Sequence, residues 1–98
     1  MKSKMKKRQL GKSDINLSAI GFGGAPIGNL FEKLDEPNCY EVLENSYKSK
    51  INIYDTSPFY GNGLSEHRLG NFLKTVDEES YFLSTKFGRY LTPEKKEN

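Results

Sequence analysis

The segments Ile51-Asn52-Ile53-Tyr54-Asp55 and Tyr81-Phe82-Leu83-Ser84-Thr85-Lys86 decide the fold of this chain. Each is a short run dominated by apolar, aromatic and β-branched residues, the composition that suits a pleated strand. Between them Leu69, Phe72, Leu73 and Val76 recur at the spacing of one helical face. Strand, helix, strand is the pattern of a parallel βαβ unit, which winds right-handed. Alternate side chains of a strand share a face. Ile51, Ile53 and Asp55 therefore lie on one face of the first strand, and Phe82, Ser84 and Lys86 on one face of the second.

The same alternation extends upstream. Asp35 and Pro37 are start signals for a helix that places Cys39, Val42, Leu43, Ser46 and Tyr47 on one face and ends near Lys50. Before it, residues 18–22, Ser-Ala-Ile-Gly-Phe, predict a short buried strand. That strand runs into Gly23-Gly24, a loop whose backbone must come close to something. Ala25 to Glu36 is a mixed loop. Further upstream, Gly11-Lys12-Ser13-Asp14 is turn chemistry between strands at Lys7 to Leu10 and Ile15 to Leu17, so residues 6–18 predict a β-hairpin. After Asp55, the loop Thr56 to Gly63 contains Pro58, Gly61 and Gly63, and Ser65 is the expected N-cap of the second helix. Asp77 to Ser80 is a polar turn, and Thr92 to Asn98 a polar tail. With no repeat and no linker, residues 1–98 form one unit. The pattern stops after a strand, where a fold of this class continues with a helix.

The chain has 98 residues, 35% hydrophobic and 29% charged, with a net charge of +2. This is a globular composition, with no global drive toward nucleic acid. Its basic residues are uneven: the first eight positions hold Lys2, Lys4, Lys6, Lys7 and Arg8 and no acid. A frayed, solvated terminus is the preferred reading of that run over a phosphate-binding arm, and no aromatic residue lies within it to stack on bases. No apolar run approaches the ~20 residues of a membrane span, and no signal-peptide core follows the basic start. Cys39 is the only cysteine, so neither an internal disulfide nor a metal site is expected. A reducing, cytoplasmic setting fits best.

Glycine-rich phosphate loops fail on inspection. Gly21-Phe22-Gly23-Gly24-Ala25-Pro26 has Pro26 where a dinucleotide fingerprint needs its last glycine, and Gly23 to Gly28 has Asn29 where a P-loop needs lysine. The strand ends are more informative. Neighbouring parallel strands lie about 4.8 Å apart, so Asp55 and Lys86 can meet. Tyr60 lies on the loop after Asp55. A free phenol titrates near 10, and a lysine ammonium beside one favours the phenolate, which makes a usable general acid or base. Asp55 would hold that lysine in place. Each residue also has a plain alternative: Asp55 as a turn residue, Tyr60 as a packing aromatic, Lys86 as a solvated lysine. Spacing alone does not choose between them. His67 falls on the helix surface, and Arg89 is either a surface residue or an anion contact.

Tyr54-Asp55-Thr56-Ser57-Pro58-Phe59-Tyr60-Gly61, with Gly63-Leu64-Ser65-Glu66 and Arg68-Leu69-Gly70, resembles the signature of the aldo-keto reductases. Leu83-Ser84-Thr85-Lys86-Phe87-Gly88-Arg89 resembles the family's next motif, and Leu10-Gly11-Lys12-Ser13 and Ile20-Gly21-Phe22-Gly23-Gly24 fit its opening. The Gly61-Asn62-Gly63-Leu64-Ser65-Glu66 stretch most resembles the branch of aldose (fucose or galactose type) and pyridoxal dehydrogenases. The resemblance implies an α/β fold: an N-terminal β-hairpin plus the first three strands and two helices of a (β/α)8 TIM barrel, left incomplete. It implies catalytic roles for Asp55, Tyr60 and Lys86, with Tyr60 as proton donor. It places Gly23, Gly24, Ala25 and Asp55 beside NAD or NADP, and implies a small carbonyl or sugar-like substrate. It also implies a catalytic His at the end of a fourth strand, which these residues do not reach and for which His67 cannot substitute. A closed barrel of this kind takes about 250 residues. Residues 1–98 alone are thus expected to be a truncated, inactive form, or else a non-catalytic or split-protein segment whose partner supplies the missing strands.

Overall fold

A computed structural model describes residues 4–88. Arg89, the polar tail 92–98 and the first residues of the basic run lie outside that range. The chain opens with the expected hairpin, β1 (Lys7–Gln9) antiparallel to β2 (Asn16–Ser18). Gly11 takes φ 55° at the turn, and the backbone closes with Leu10 N–H on the Ile15 carbonyl at 2.8 Å. Asn52 fastens the hairpin to the body of the molecule. Its Oδ1 accepts from Ser18 N–H at 2.7 Å, and its Nδ2 donates to the Asn16 carbonyl at 3.0 Å.

A parallel sheet follows, in the order β3 (Phe22–Gly23), β4 (Ile53–Asp55), β5 (Phe82–Ser84). Asn52 precedes β4 and Asp55 ends it, so the hairpin sits at the opposite end of the sheet from Asp55. The expected strand over 18–22 is displaced to Phe22–Gly23. Residues 19–21 are spent turning the chain out of the hairpin: the Ser18 hydroxyl donates to the Ile20 carbonyl at 2.7 Å, and Ile20 is exposed, not buried. β5 is also shorter than residues 81–86, leaving Lys86 just beyond the strand.

Helix α1 (Glu36–Lys48) begins where Asp35 and Pro37 predict. The Asp35 carboxylate accepts from Asn38 N–H at 2.9 Å, a cap that contributes about 1 kcal/mol. Lys50, at φ 71°, turns the chain away after the helix. Cys39, Leu43 and Ser46 face inward as expected, whereas Val42 lies on the flank of that face and is half exposed. Helix α2 (Leu64–Leu73) starts at Gly63, not at Ser65. Gly61, Asn62 and Gly63 are all left-handed (φ 69°, 52° and 95°), so backbone geometry delivers the chain into the helix without a side-chain cap.

Both helices contribute to one core: Ile27, Cys39, Leu43, Tyr54, Leu69, Phe72 and Leu73. Tyr54 is fully buried in this core, its ring 5.5 Å from that of Phe22. By strand alternation Ile53 and Asp55 then point to the other face of the sheet. Among the described residues β3 and β5 each pair with β4 alone, which leaves an outer edge on both. The observed architecture is α/β, with two helices packed on one face of three parallel strands.

Candidate active site

The site forms where β4 and β5 end. Asp55 lies opposite Ser84 in the parallel register, and Lys86 follows two positions on. Its ammonium donates to Asp55 Oδ2 at 3.0 Å and Oδ1 at 3.2 Å, and to the Thr56 carbonyl at 3.1 Å. Both side chains of the pair are about half exposed (50% and 46%), so the pair opens to solvent and is not sealed in the core. The hydrogen bond to Asp55 holds Lys86 above the ordinary lysine value, and the charge of Asp55 and the Tyr60 phenol push the same way. The Lys86 ammonium sits 5.3 Å from the centre of the Tyr60 ring. Asp55, Tyr60 and Lys86 are thus brought together. His67 is not among them: it is exposed on α2, with its Nε2 at 3.2 Å from Asn71 Nδ2.

Tyr60 is held through its backbone. Its N–H donates to the Ser57 carbonyl at 3.1 Å, and its carbonyl accepts from Ser65 N–H at 3.2 Å. On the other side lies Gly28, where a Cβ would come within 2.8 Å of the Tyr60 carbonyl group. Only glycine fits there. A cavity of about 270 Å³ opens beside the group, lined by Ser57, Pro58, Phe59, Tyr60, Lys86 and Phe87.

The glycine pair at the end of β3 divides its tasks. Gly24 is the point of close approach, and what it approaches is the chain itself. Its N–H donates to the Asp55 carbonyl at 2.7 Å, and a Cβ there would lie 2.7 Å from Ser65 Oγ and 2.8 Å from that carbonyl. Gly23 pairs with Asp55 in the sheet but is exposed, with open space where its Cβ would be. A flat ring can therefore reach the backbone at Gly23 next to Asp55. Ala25, the last of the expected cofactor contacts, is half-buried.

Two residues that carry the site's support were not expected in that role from sequence. Ser65, expected as a cap, is fully buried and bonds Thr56 and Gly24 instead. Arg68, only 7% exposed, donates to Glu36 Oε1, Asn29 Oδ1 and the carbonyls of Ile27 and Leu34, at 2.7 to 3.0 Å. Its position beside Leu69 on the buried stripe of α2 was the available signal. Glu66 accepts from the Thr85 hydroxyl at 2.7 Å and steadies the residue before Lys86. Among the described residues no cluster of His, Cys, Asp and Glu could hold a metal ion, and no helix is long and apolar enough to cross a membrane.

The model of the aldo/keto reductase family matches residues 19–98. D-threo-aldose 1-dehydrogenase from a Pseudomonas species is 47% identical over 79 residues, covering 81% of this chain and 24% of that protein. L-galactose dehydrogenase from Arabidopsis thaliana is 39% identical over 90 residues, covering 90% and 28%. The solved structure of an aldo-keto reductase from Bacillus halodurans superposes with a TM-score of 0.78 at 34% identity, over 90% of this chain and 28% of that one. The chain spans about a quarter of the length of the curated relatives it matches.

Proposed function

Because this chain belongs to the aldo/keto reductase family, we propose that it serves in an NAD(P)-dependent oxidoreductase that interconverts a carbonyl compound and an alcohol. The observation that carries the proposal is the Lys86 ammonium, fixed by Asp55 and set beside the Tyr60 ring. Tyr60 donates the proton to the carbonyl oxygen during reduction and takes it back during oxidation. Lys86 supplies the positive charge that makes a phenol fit for this task. Asp55 keeps that charge in place. Gly23, Ala25 and Asp55 would hold NAD or NADP at the end of β3, with Gly24 shaping that loop from beneath, and the nicotinamide, when bound, would supply the hydride, which no side chain can.

The substrate in this proposal is a small carbonyl compound or a sugar in its lactol form, taken into the cavity beside Tyr60. The named activities of the aldose and galactose dehydrogenases support that class. Residues 1–98 act as one partial barrel unit, with the hairpin across its base. Turnover requires further strands on the open edges of β3 and β5, on the same polypeptide or on a partner. A reducing, cytoplasmic setting belongs to the same reading.

The test is Tyr60→Phe in the gene product that carries these residues. Removing the phenol hydroxyl lowers kcat for carbonyl reduction by about 10²–10⁴-fold, while fluorescence titration shows nicotinamide binding retained. Wild-type kcat in this variant would remove Tyr60 from the chemistry.

A further inference from the structure

We propose that Ser65 is a positioning residue of this site: its hydroxyl ties the Gly24 loop to Thr56, and through Thr56 it places Lys86 beside Tyr60. The inference rests on the proposed function for what the site does. How the site is held together comes from the geometry.

Ser65 lies on the first turn of α2, behind the strand ends, and touches three separate segments. Its hydroxyl donates to the Gly24 carbonyl at 2.7 Å. A hydroxyl has one proton to give. The 2.6 Å contact with Thr56 Oγ1 must then be a bond that Thr56 donates and Ser65 accepts. The Ser65 N–H donates to the carbonyl of Tyr60. One residue thus meets the loop after β3, the end of β4 and the loop that carries the proposed proton donor.

The Ser65 hydroxyl has no other task. Gly63 starts α2 without a side-chain cap, so the hydroxyl is not spent on the helix. Ser65 and Thr56 are 0% and 2% exposed, which leaves no solvent to replace a lost bond. Removing the hydroxyl would strand a buried carbonyl and a buried Thr56 donor.

The effect reaches Lys86 through Thr56. The Thr56 N–H is bonded to the Ser84 carbonyl, and its own carbonyl is one of the acceptors around the Lys86 ammonium. The side-chain bond to Ser65 sets how this peptide is turned. The ionisable groups facing Lys86 are Asp55 from β4 and Tyr60 from the following loop. Glu66 of α2 is engaged by Thr85, and His67 by Asn71.

The experiment compares Ser65→Ala with Ser46→Ala in the natural gene product. Ser46 is also a buried serine, but its hydroxyl bonds the Leu43 carbonyl and Tyr54. Two readouts are taken: the pH profile of kcat, and the titration of the Lys86 ε-methylene followed by NMR. In Ser65→Ala, kcat drops about 10- to 100-fold, as for a misplaced reacting group. The alkaline limb of its profile moves, and Lys86 titrates closer to an ordinary lysine. Ser46→Ala leaves both readouts in place. Thr56→Val breaks the same bond from the other end and reproduces the Lys86 shift, which keeps the test decisive if Ser65→Ala folds poorly. Turnover with an unmoved profile and an unmoved Lys86 titration in Ser65→Ala and Thr56→Val overturns the positioning role and leaves the proposed function standing. A shifted Lys86 titration in a protein that reduces no carbonyl does the reverse.

Discussion

At the scale of single residues, Arg68 shows how burial decides what a contact contributes. Its guanidinium gathers the stretch from Ile27 to Glu36 onto α2, donating to the carbonyls of Ile27 and Leu34 and to Asn29 Oδ1. Its ion pair with Glu36 is short, 2.7 Å, but the Glu36 side chain is 66% exposed, so solvent screens it. The bond to the Ile27 carbonyl matters more, because that buried acceptor has no water to turn to. Arg68→Leu is expected to lower stability by about 2–4 kcal/mol, and Glu36→Gln by less than about 1 kcal/mol, both read from denaturant midpoints. Arg68→Lys recovers little of the loss, since one ammonium cannot span acceptors laid out for a planar fork. A Glu36→Gln loss as large as that of Arg68→Leu would show that charge, and not the backbone bonds, holds the loop.

At the scale of elements, the junction of β3 and β4 controls the site. Gly23 and Gly24 are adjacent, yet their surroundings are opposite. A methyl group at Gly24 meets the Asp55 carbonyl and the Ser65 hydroxyl, and a backbone carbonyl in a paired strand cannot step aside. Gly24→Ala should therefore cost about 1–3 kcal/mol as an overpacking change. Gly23→Ala meets nothing within 4 Å and should stay within about 0.5 kcal/mol of wild type. Thermal unfolding of the two variants checks the contrast, and equal losses would refute it. The same junction accounts for the shortness of β3. The chain leaves the hairpin through residues 19–21 and has room for only a brief pairing before Gly24 turns beneath Ser65.

For the whole molecule, three ionisable groups act in one direction. Burial pushes the Cys39 thiol above 9.0 and the Tyr54 phenol above 10.0, and the hydrogen bond that Lys86 donates to Asp55 holds Lys86 above 10.5. In the unfolded chain the thiol and phenol lose their protons first, so unfolding gains ground as pH rises past 9.0 and again past 10.0. The Lys86 pair is intact below 10.5 and fades as pH climbs through its raised value. All three contributions fall with rising pH. Denaturant midpoints are expected to hold steady from pH 7 to about 8.5 as far as these groups are concerned, then decline toward pH 11. A midpoint that rises between pH 9 and 11 would contradict the burial of Cys39 and Tyr54.

Sequence by itself determined the order of elements, the parallel pairing and the shared face of Asp55 and Lys86. These follow from local periodicity and from alternation along a strand, which are properties of neighbouring residues. The motif around Tyr54 to Gly61 was enough to recognise the family, because a glycine-punctuated loop of fixed length is itself local. The tertiary structure decided what each supporting residue does. Ser65 has the chemistry of a cap, but Gly61 to Gly63 already turn the chain into α2, so its hydroxyl is free to bond Gly24 and Thr56. Gly24 needed to be glycine for a neighbour that only folding brings to it. The Lys86 ammonium owes its place to Asp55 and the Thr56 carbonyl, acceptors that reach it only when β5 lies beside β4. Contacts between segments distant along the chain leave no local signature, and in this protein such contacts fix the geometry of Asp55, Tyr60 and Lys86.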